Sequence, residues 1–365
     1  MRVLFISRAT LFSDRGGDTV QVENTACALK RFGVDTDIEL CSNKNIDYSR
    51  YDLIHFFNII RPADIIYHID KSRIPFVVSP IYLTYEETTK YSKSLKNKVL
   101  RLFGKHGQEY VKCVARKMIN REKIISRKYI LLGQKKSIEY ILKRCTCLLP
   151  NSLSEYERLH KDFRCAGNFS VVPNAVDTEI FTEEKNTMRK ENSVICVGRI
   201  EPRKNQLNLI RALENSDYQL TIAGAASTNH QAYFEECKRA ASSRVTFIDF
   251  SDQKIISKLY NEHKTHVLAS WFETTGLSSL EAAACGCNIV VSDKGDTRNY
   301  FSEAGYYCNP ADLESIKQAI DTAMNAPANR RFMNKILKEY TWQKTAAATL
   351  KVYRSVLKKQ KNGTI

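Results

Sequence analysis

At 365 residues and 43% apolar side chains, the chain is too long for one ordinary core and too apolar for disorder, so it suits two globular domains. Its formal charge of +16 is uneven: residues 91–144 hold 16 Lys/Arg against three Asp/Glu. The eleven cysteines are odd in number and mostly set in apolar runs, which fits reduced, buried thiols better than a disulfide framework.

The apolar run at residues 1–7 is too short for a signal peptide, and no stretch approaches the ~20 apolar residues of a membrane span. Residues 3–7 read as a buried parallel strand, 11–17 as a turn containing Gly16 and Gly17, and 19–32 as a helix stopped at Gly33. Strands follow at 34–41, 53–57 and 76–79. Within the basic stretch, Leu95, Val99, Leu102 and Phe103 recur at helical spacing, as do Val111, Val114, Ala115 and Met118. A basic helix with an apolar stripe can lie on an anionic membrane surface. A solvated helical hairpin packed on its own domain is the competing reading. Nucleic acid is disfavoured, because no zinc-finger spacing, ribonucleoprotein motif or helix-turn-helix accompanies the charge. A strand at 145–150 and a Ser-capped helix at 152–161 complete the first series.

A second series starts near residue 171, with strands at 194–197, 220–223, 245–248, 266–269 and 288–292. Helices are expected at 206–213, 231–242, 252–262 and 277–285. Strands alternating with helices of this length give two parallel-sheet α/β domains, whose ligands bind at the carboxyl ends of the strands. A final helix runs from about 343 to 360. The pairs Cys145/Cys147 and Cys285/Cys287 lack a second ligand pair and read as packing residues, so no metal site is expected.

The segment 270–286 carries the most chemistry. Gly276 precedes an Ala-rich helix whose entry points free backbone N–H groups and a positive dipole end outward. That arrangement suits a diphosphate. Glu273 on the approach and Glu281 inside the helix are placed to accept hydrogen bonds from hydroxyls on either side of the phosphates, as a nucleotide-sugar would present. A capped amphipathic helix with a solvated Glu273 is the plainer alternative. After the strand at 194–197, Gly198 allows close backbone approach, while Arg199 and Lys204 put two cations beside a helix start. Gly16 and Gly17 offer a further backbone approach to phosphate or sugar.

Several motifs occur in order: Gly16-Gly17, Asp52-Leu53-Ile54-His55, Asn151-Ser152-Leu153-Ser154-Glu155-Tyr156 and Val172-Pro173-Asn174-Ala175-Val176-Asp177. Val197-Gly198-Arg199 with Lys204-Asn205, Ile222-Ala223-Gly224, the Glu273/Glu281 segment and Asn309-Pro310 follow. Together they resemble glycosyltransferase family 4, also described as glycosyl transferases group 1. The resemblance spans nearly the whole chain and is densest from 171 to 310. It implies the GT-B fold, two Rossmann-like parallel-sheet domains facing a central cleft. An acceptor-side domain would span 1–170, with the last helix packed back on it, and a nucleotide-sugar domain 171–342.

By the same resemblance, Arg199 and Lys204 would bind the donor diphosphate, Glu273 the transferred sugar and Glu281 the ribose. The backbone at Leu277 and Ser278 would meet the phosphates. The chemistry would be retaining, with no cofactor beyond the nucleoside diphosphate sugar and no metal. The basic stretch suggests a glycan or lipid-linked acceptor for a surface polysaccharide, and a cytoplasmic protein that is peripheral at the inner membrane face. The chain departs from the family where a strand-end histidine is usual, at 76–82, and at 294–298, where Gly-Gly and a glutamate are usual. His55 stays open between a catalytic and a packed role. A same-fold nucleotide-sugar epimerase, or a non-catalytic membrane- or nucleic-acid-binding module, are the alternatives.

Overall fold

The computed structural model describes residues 1–83, 104, 107–108, 110–111, 126–164, 167–185, 187–226, 228–249 and 252–362. Most of the basic stretch, including the stripe Leu95, Val99, Leu102 and Phe103, therefore lies outside the described residues. The chain forms two compact units, Met1–Pro173 with Trp342–Ile365, and Asn174–Thr341.

In the first unit, β1 (Arg2–Ser7), β2 (Asp35–Leu40), β3 (Leu53–Phe57), β4 (Phe76–Ser79) and β5 (Cys147–Leu148) form one sheet in the order β2-β1-β3-β4-β5. Every pairing is parallel. All five residues of β3 are buried, as expected for a sheet covered on both faces. The helices are α1 (Gly17–Arg31), α2 (Pro62–Lys71), α3 (Arg127–Leu142) and α4 (Leu153–Phe163). α4 starts where sequence logic places it. The Ser152 side chain accepts from Glu155 N–H, and the buried Glu155 carboxylate in turn accepts from the amides of Asn151 and Tyr82. One residue thereby caps its own helix and ties it to the end of the neighbouring strand.

The second unit holds β6 (Ser193–Val197), β7 (Gln219–Ala223), β8 (Val245–Ile248), β9 (Thr265–Leu268), β10 (Asn288–Ser292) and β11 (Gly305–Cys308). Their order is β11-β10-β9-β6-β7-β8, again all parallel. The helices are α5 (Gln206–Ala212), α6 (Gln231–Ala240), α7 (Gln253–Glu262), α8 (Leu277–Ala284), α9 (Thr297–Phe301), α10 (Leu313–Asn325) and α11 (Arg330–Glu339). Two apolar clusters, one around Val194, Ile222 and Ile316 and one around Ile195, Leu268 and Leu280, form the core of this unit.

α12 (Trp342–Lys361) returns to the first unit and packs on α1. Several elements are not signalled by the sequence patterning: α2, β11 and the helices α9 to α11. Their apolar positions are interleaved with charges, and the caps Asp312 and Asn329 mark starts more clearly than the periodicity marks lengths. The strand expected at 145–150 shrinks to Cys147–Leu148.

Candidate active site

In a doubly wound sheet, the crevice opens where successive crossovers leave in opposite directions. In the second unit that point lies between β6 and β9, which are direct neighbours. The loops leaving their carboxyl ends, 198–205 and 269–276, therefore start side by side.

The close approach of loops is built on glycine. Gly224, at the end of β7, has φ of +149°, and a Cβ there would lie 2.2 Å from the Gly198 carbonyl oxygen. No other residue fits that backbone contact. Asn205 adopts a left-handed conformation and donates from Nδ2 to Ala269 O at 3.0 Å and Pro310 O at 2.8 Å, stitching three loops together.

These loops bring a charged cluster together. Lys204 Nζ donates to Glu273 Oε1 at 2.7 Å. Arg203 donates to the same oxygen at 3.1 Å, to Phe272 O at 2.9 Å and to Glu201 Oε1 at 2.9 Å. Arg199 lies 3.4 Å from the other Glu201 oxygen. Glu273 is only 6% exposed. Burial opposes its ionisation, yet Lys204 and Arg203 more than offset this and hold its carboxyl down at about 2. Burial likewise opposes ionisation of Glu201, and Arg203, Arg199 and Lys204 reverse it. The cluster carries three cations against two carboxylates, so it retains a net positive charge to offer an anion.

α8 starts just after Glu273 on the same loop. Its N-cap is Gly276 at φ of +73°. The amides of Ser279 and Leu280 turn back onto Gly276 O, while Leu277 and Ser278 precede the helix's internal bonds. Both are half-buried. Glu281 follows one turn later. Burial raises its carboxyl to about 7, only partly opposed by the Tyr260 hydroxyl, 3.4 Å away, and by Lys204.

The structure thus gathers Gly198, Arg199, Lys204, Glu273, Gly276, Leu277, Ser278 and Glu281 in one unit. The plainer reading of Glu273 as a solvated loop residue is wrong, because two cations bury it. Gly16 and Gly17 belong to the other unit, as the N-cap and first residue of α1. Gly16 is in extended backbone that any residue adopts. There Arg8 donates to both Asp18 oxygens, at 2.6 and 3.0 Å, and to Thr10 and Asp14 carbonyls. His55 is buried, with Nδ1 2.6 Å from the Tyr353 hydroxyl and Nε2 2.9 Å from Ser79 Oγ. Burial lowers its pKa to about 3, and both ring nitrogens are engaged by neighbouring hydroxyls.

Sequence reasoning missed Glu201, Arg203 and Asp296. Arg203 sits beside Lys204, but which side chain in a tight turn meets a loop 70 residues on is not readable from spacing. Asp296 donates its amide to Glu273 O at 2.8 Å. It lies in the departure at 294–298, where Gly295 supplies the close approach. Among the described residues, no group of three His, Cys, Asp or Glu side chains is arranged as a metal site. Cys285 and Cys287 are buried free thiols, flanking Arg189, which donates to Cys285 O at 2.5 Å.

Residues 177–340 match the family described as Glycosyl transferases group 1, which is nearly the whole second unit. A Methanocaldococcus jannaschii protein named as an uncharacterized glycosyltransferase is 27% identical over 49% of this chain and 50% of its own length. The O-antigen chain mannosyltransferase B of Escherichia coli is 22% identical over 47% of this chain and 48% of its own. The chain thus spans about half the length of the curated relatives it matches. Among solved structures, a sucrose-phosphate synthase from Thermosynechococcus elongatus superposes with a TM-score of 0.78 at 17% identity, covering 98% of this chain and 99% of that one. Anabaena HepE, in complex with UDP and glucose, gives 0.60 at 14% identity, with 100% and 99% covered. These likenesses establish the GT-B fold, two Rossmann-like parallel-sheet units in one chain.

Proposed function

We propose that this chain is a glycosyltransferase that moves a sugar from a nucleoside diphosphate sugar to a glycan or lipid-linked acceptor, with retention at the transferred carbon. The observation that carries the reading is the cluster of Arg199, Lys204 and Glu273 at the switch point, on the loops that lead into α8 and its Gly276 N-cap. A diphosphate there would meet two cations and the amides of Leu277 and Ser278. The cations would offset the charge that develops as the phosphate leaves, a contribution of about 10² to 10³ in rate for a single donor. Glu281 would accept from the ribose hydroxyls, and Glu273 from hydroxyls of the transferred sugar. The donor would bind without a metal.

The matches to O-antigen mannosyltransferases support a surface polysaccharide as product. The basic stretch 91–144 supports an anionic membrane surface as the place of work, and with it a cytoplasmic, peripheral protein. No helix among the described residues is long and apolar enough to cross a membrane.

The test is calorimetric binding of UDP, GDP and ADP, without metal and then with magnesium, to wild type and Lys204→Ala. Metal-independent binding of one nucleotide, weakened about 10-fold or more in the variant, supports the reading. Failure of all three to bind refutes it.

A further inference from the structure

The cluster holds three cations, but they are not equivalent. Lys204 ends in a single movable point charge and touches Glu273 only through Nζ. Arg203 is clamped on every side. Its carbonyl accepts from Trp271 N–H at 2.9 Å, and its Nη1 spans Phe272 O and Glu273 Oε1. Its Nη2 is anchored on Glu201, itself 8% exposed and also paired with Arg199. Three bonds therefore tie residue 203 to the loop after β9, engaging its backbone as well as its carboxylate.

We propose that Arg203, braced by Glu201, is the positioning residue that holds Glu273 in place for the transferred sugar, freeing Lys204 to move to the donor diphosphate. This rests on the glycosyltransferase reading above. In the free enzyme both cations share Oε1 of Glu273. When a diphosphate enters, Lys204 exchanges that oxygen for a phosphate oxygen. Glu273 would then be a buried carboxylate with no cation, a costly state, unless Arg203 stays. Glu201 keeps it there, because it holds the second arm of the guanidinium at 2.9 Å.

The experiment is a double-mutant cycle on Arg203→Ala and Glu273→Gln, with Lys204→Ala, Arg203→Lys and Glu201→Gln alongside. Binding of the nucleoside diphosphate that wild type prefers is measured by calorimetry. Hydrolysis of UDP-glucose, GDP-mannose or ADP-glucose, chosen by that base, gives kcat and KM. Arg203→Ala is expected to bind nucleotide within about threefold of wild type while kcat falls about 10-fold or more. Its loss should not add to that of Glu273→Gln, as expected for residues acting as one unit. Arg203→Lys should recover part of kcat, and Glu201→Gln should lose kcat in the same direction. If Arg203→Ala does not fold, these two conservative variants carry the test.

Additive losses in the cycle, or an unchanged kcat in Arg203→Ala, would overturn the assignment. So would a loss of nucleotide affinity matching that of Lys204→Ala, which would make Arg203 a phosphate ligand. Each of those results leaves the glycosyltransferase reading standing, whereas absence of nucleotide binding by wild type removes both.

Discussion

Gly295→Ala tests how tightly the site depends on one backbone contact. Gly295 has φ of +76°, and a Cβ there would lie 2.0 Å from the carbonyl oxygen of Glu273, with that residue's carbonyl carbon and nitrogen each at 2.9 Å. All three neighbours are backbone atoms, so no side chain can swing aside. To reach ordinary contact the Glu273 carbonyl must retreat by more than 1 Å, which breaks the 2.8 Å bond it accepts from Asp296 N–H. The left-handed conformation costs an alanine about 1 to 2 kcal/mol, and the lost buried bond adds about 1 to 2. The expected destabilisation is therefore about 2 to 4 kcal/mol. The same retreat drags the Glu273 carboxylate off its cations, and misplacement of that size can cost about 10²-fold in turnover.

Gly33→Ala is the control. Its φ is +73° but nothing lies within 4 Å of the added Cβ, so it should show the conformational cost of about 1 to 2 kcal/mol alone and normal turnover. Urea unfolding and donor hydrolysis, run on both variants, decide the matter. Equal destabilisation by the two, or full turnover in Gly295→Ala, would refute the reasoning.

Two further predictions concern pH. His55 has its folded pKa depressed from 6.5 to about 3 by burial, so its neutral form stabilises the fold fully above 6.5, and that stability drains away as pH falls from 6.5 toward 3. His55→Gln should flatten the acid limb of urea midpoint against pH; a limb as steep as wild type's would show that other groups dominate it. Glu281 is the opposite case, raised from 4.5 to about 7. Its contribution is present in full below 4.5 and is lost as pH rises through 7. Glu281→Gln should therefore lose less stability than wild type between pH 5 and 8, an expectation that identical profiles would contradict.

What the sequence determined by itself is local. Strands such as 194–197 are short apolar runs, the Ala-rich helix behind Gly276 announces its own start, and Ser152 caps the helix that follows it. Each signal depends on neighbours a turn or two away, so spacing alone reveals it, and it suffices for two α/β units, while the family resemblance is what joins Arg199, Lys204, Glu273 and Glu281 as one expected donor site. The tertiary structure alone decided which of these touch. Strand order sets β6 beside β9, and only then does Arg203 meet a carboxylate 70 residues on. His55 reads alike as catalyst or core until Tyr353, 298 residues away, closes over it. Strand order is chosen by burying both faces of the whole sheet and by the handedness of its crossovers. That choice is a property of the entire chain's free energy, and no window of sequence contains it.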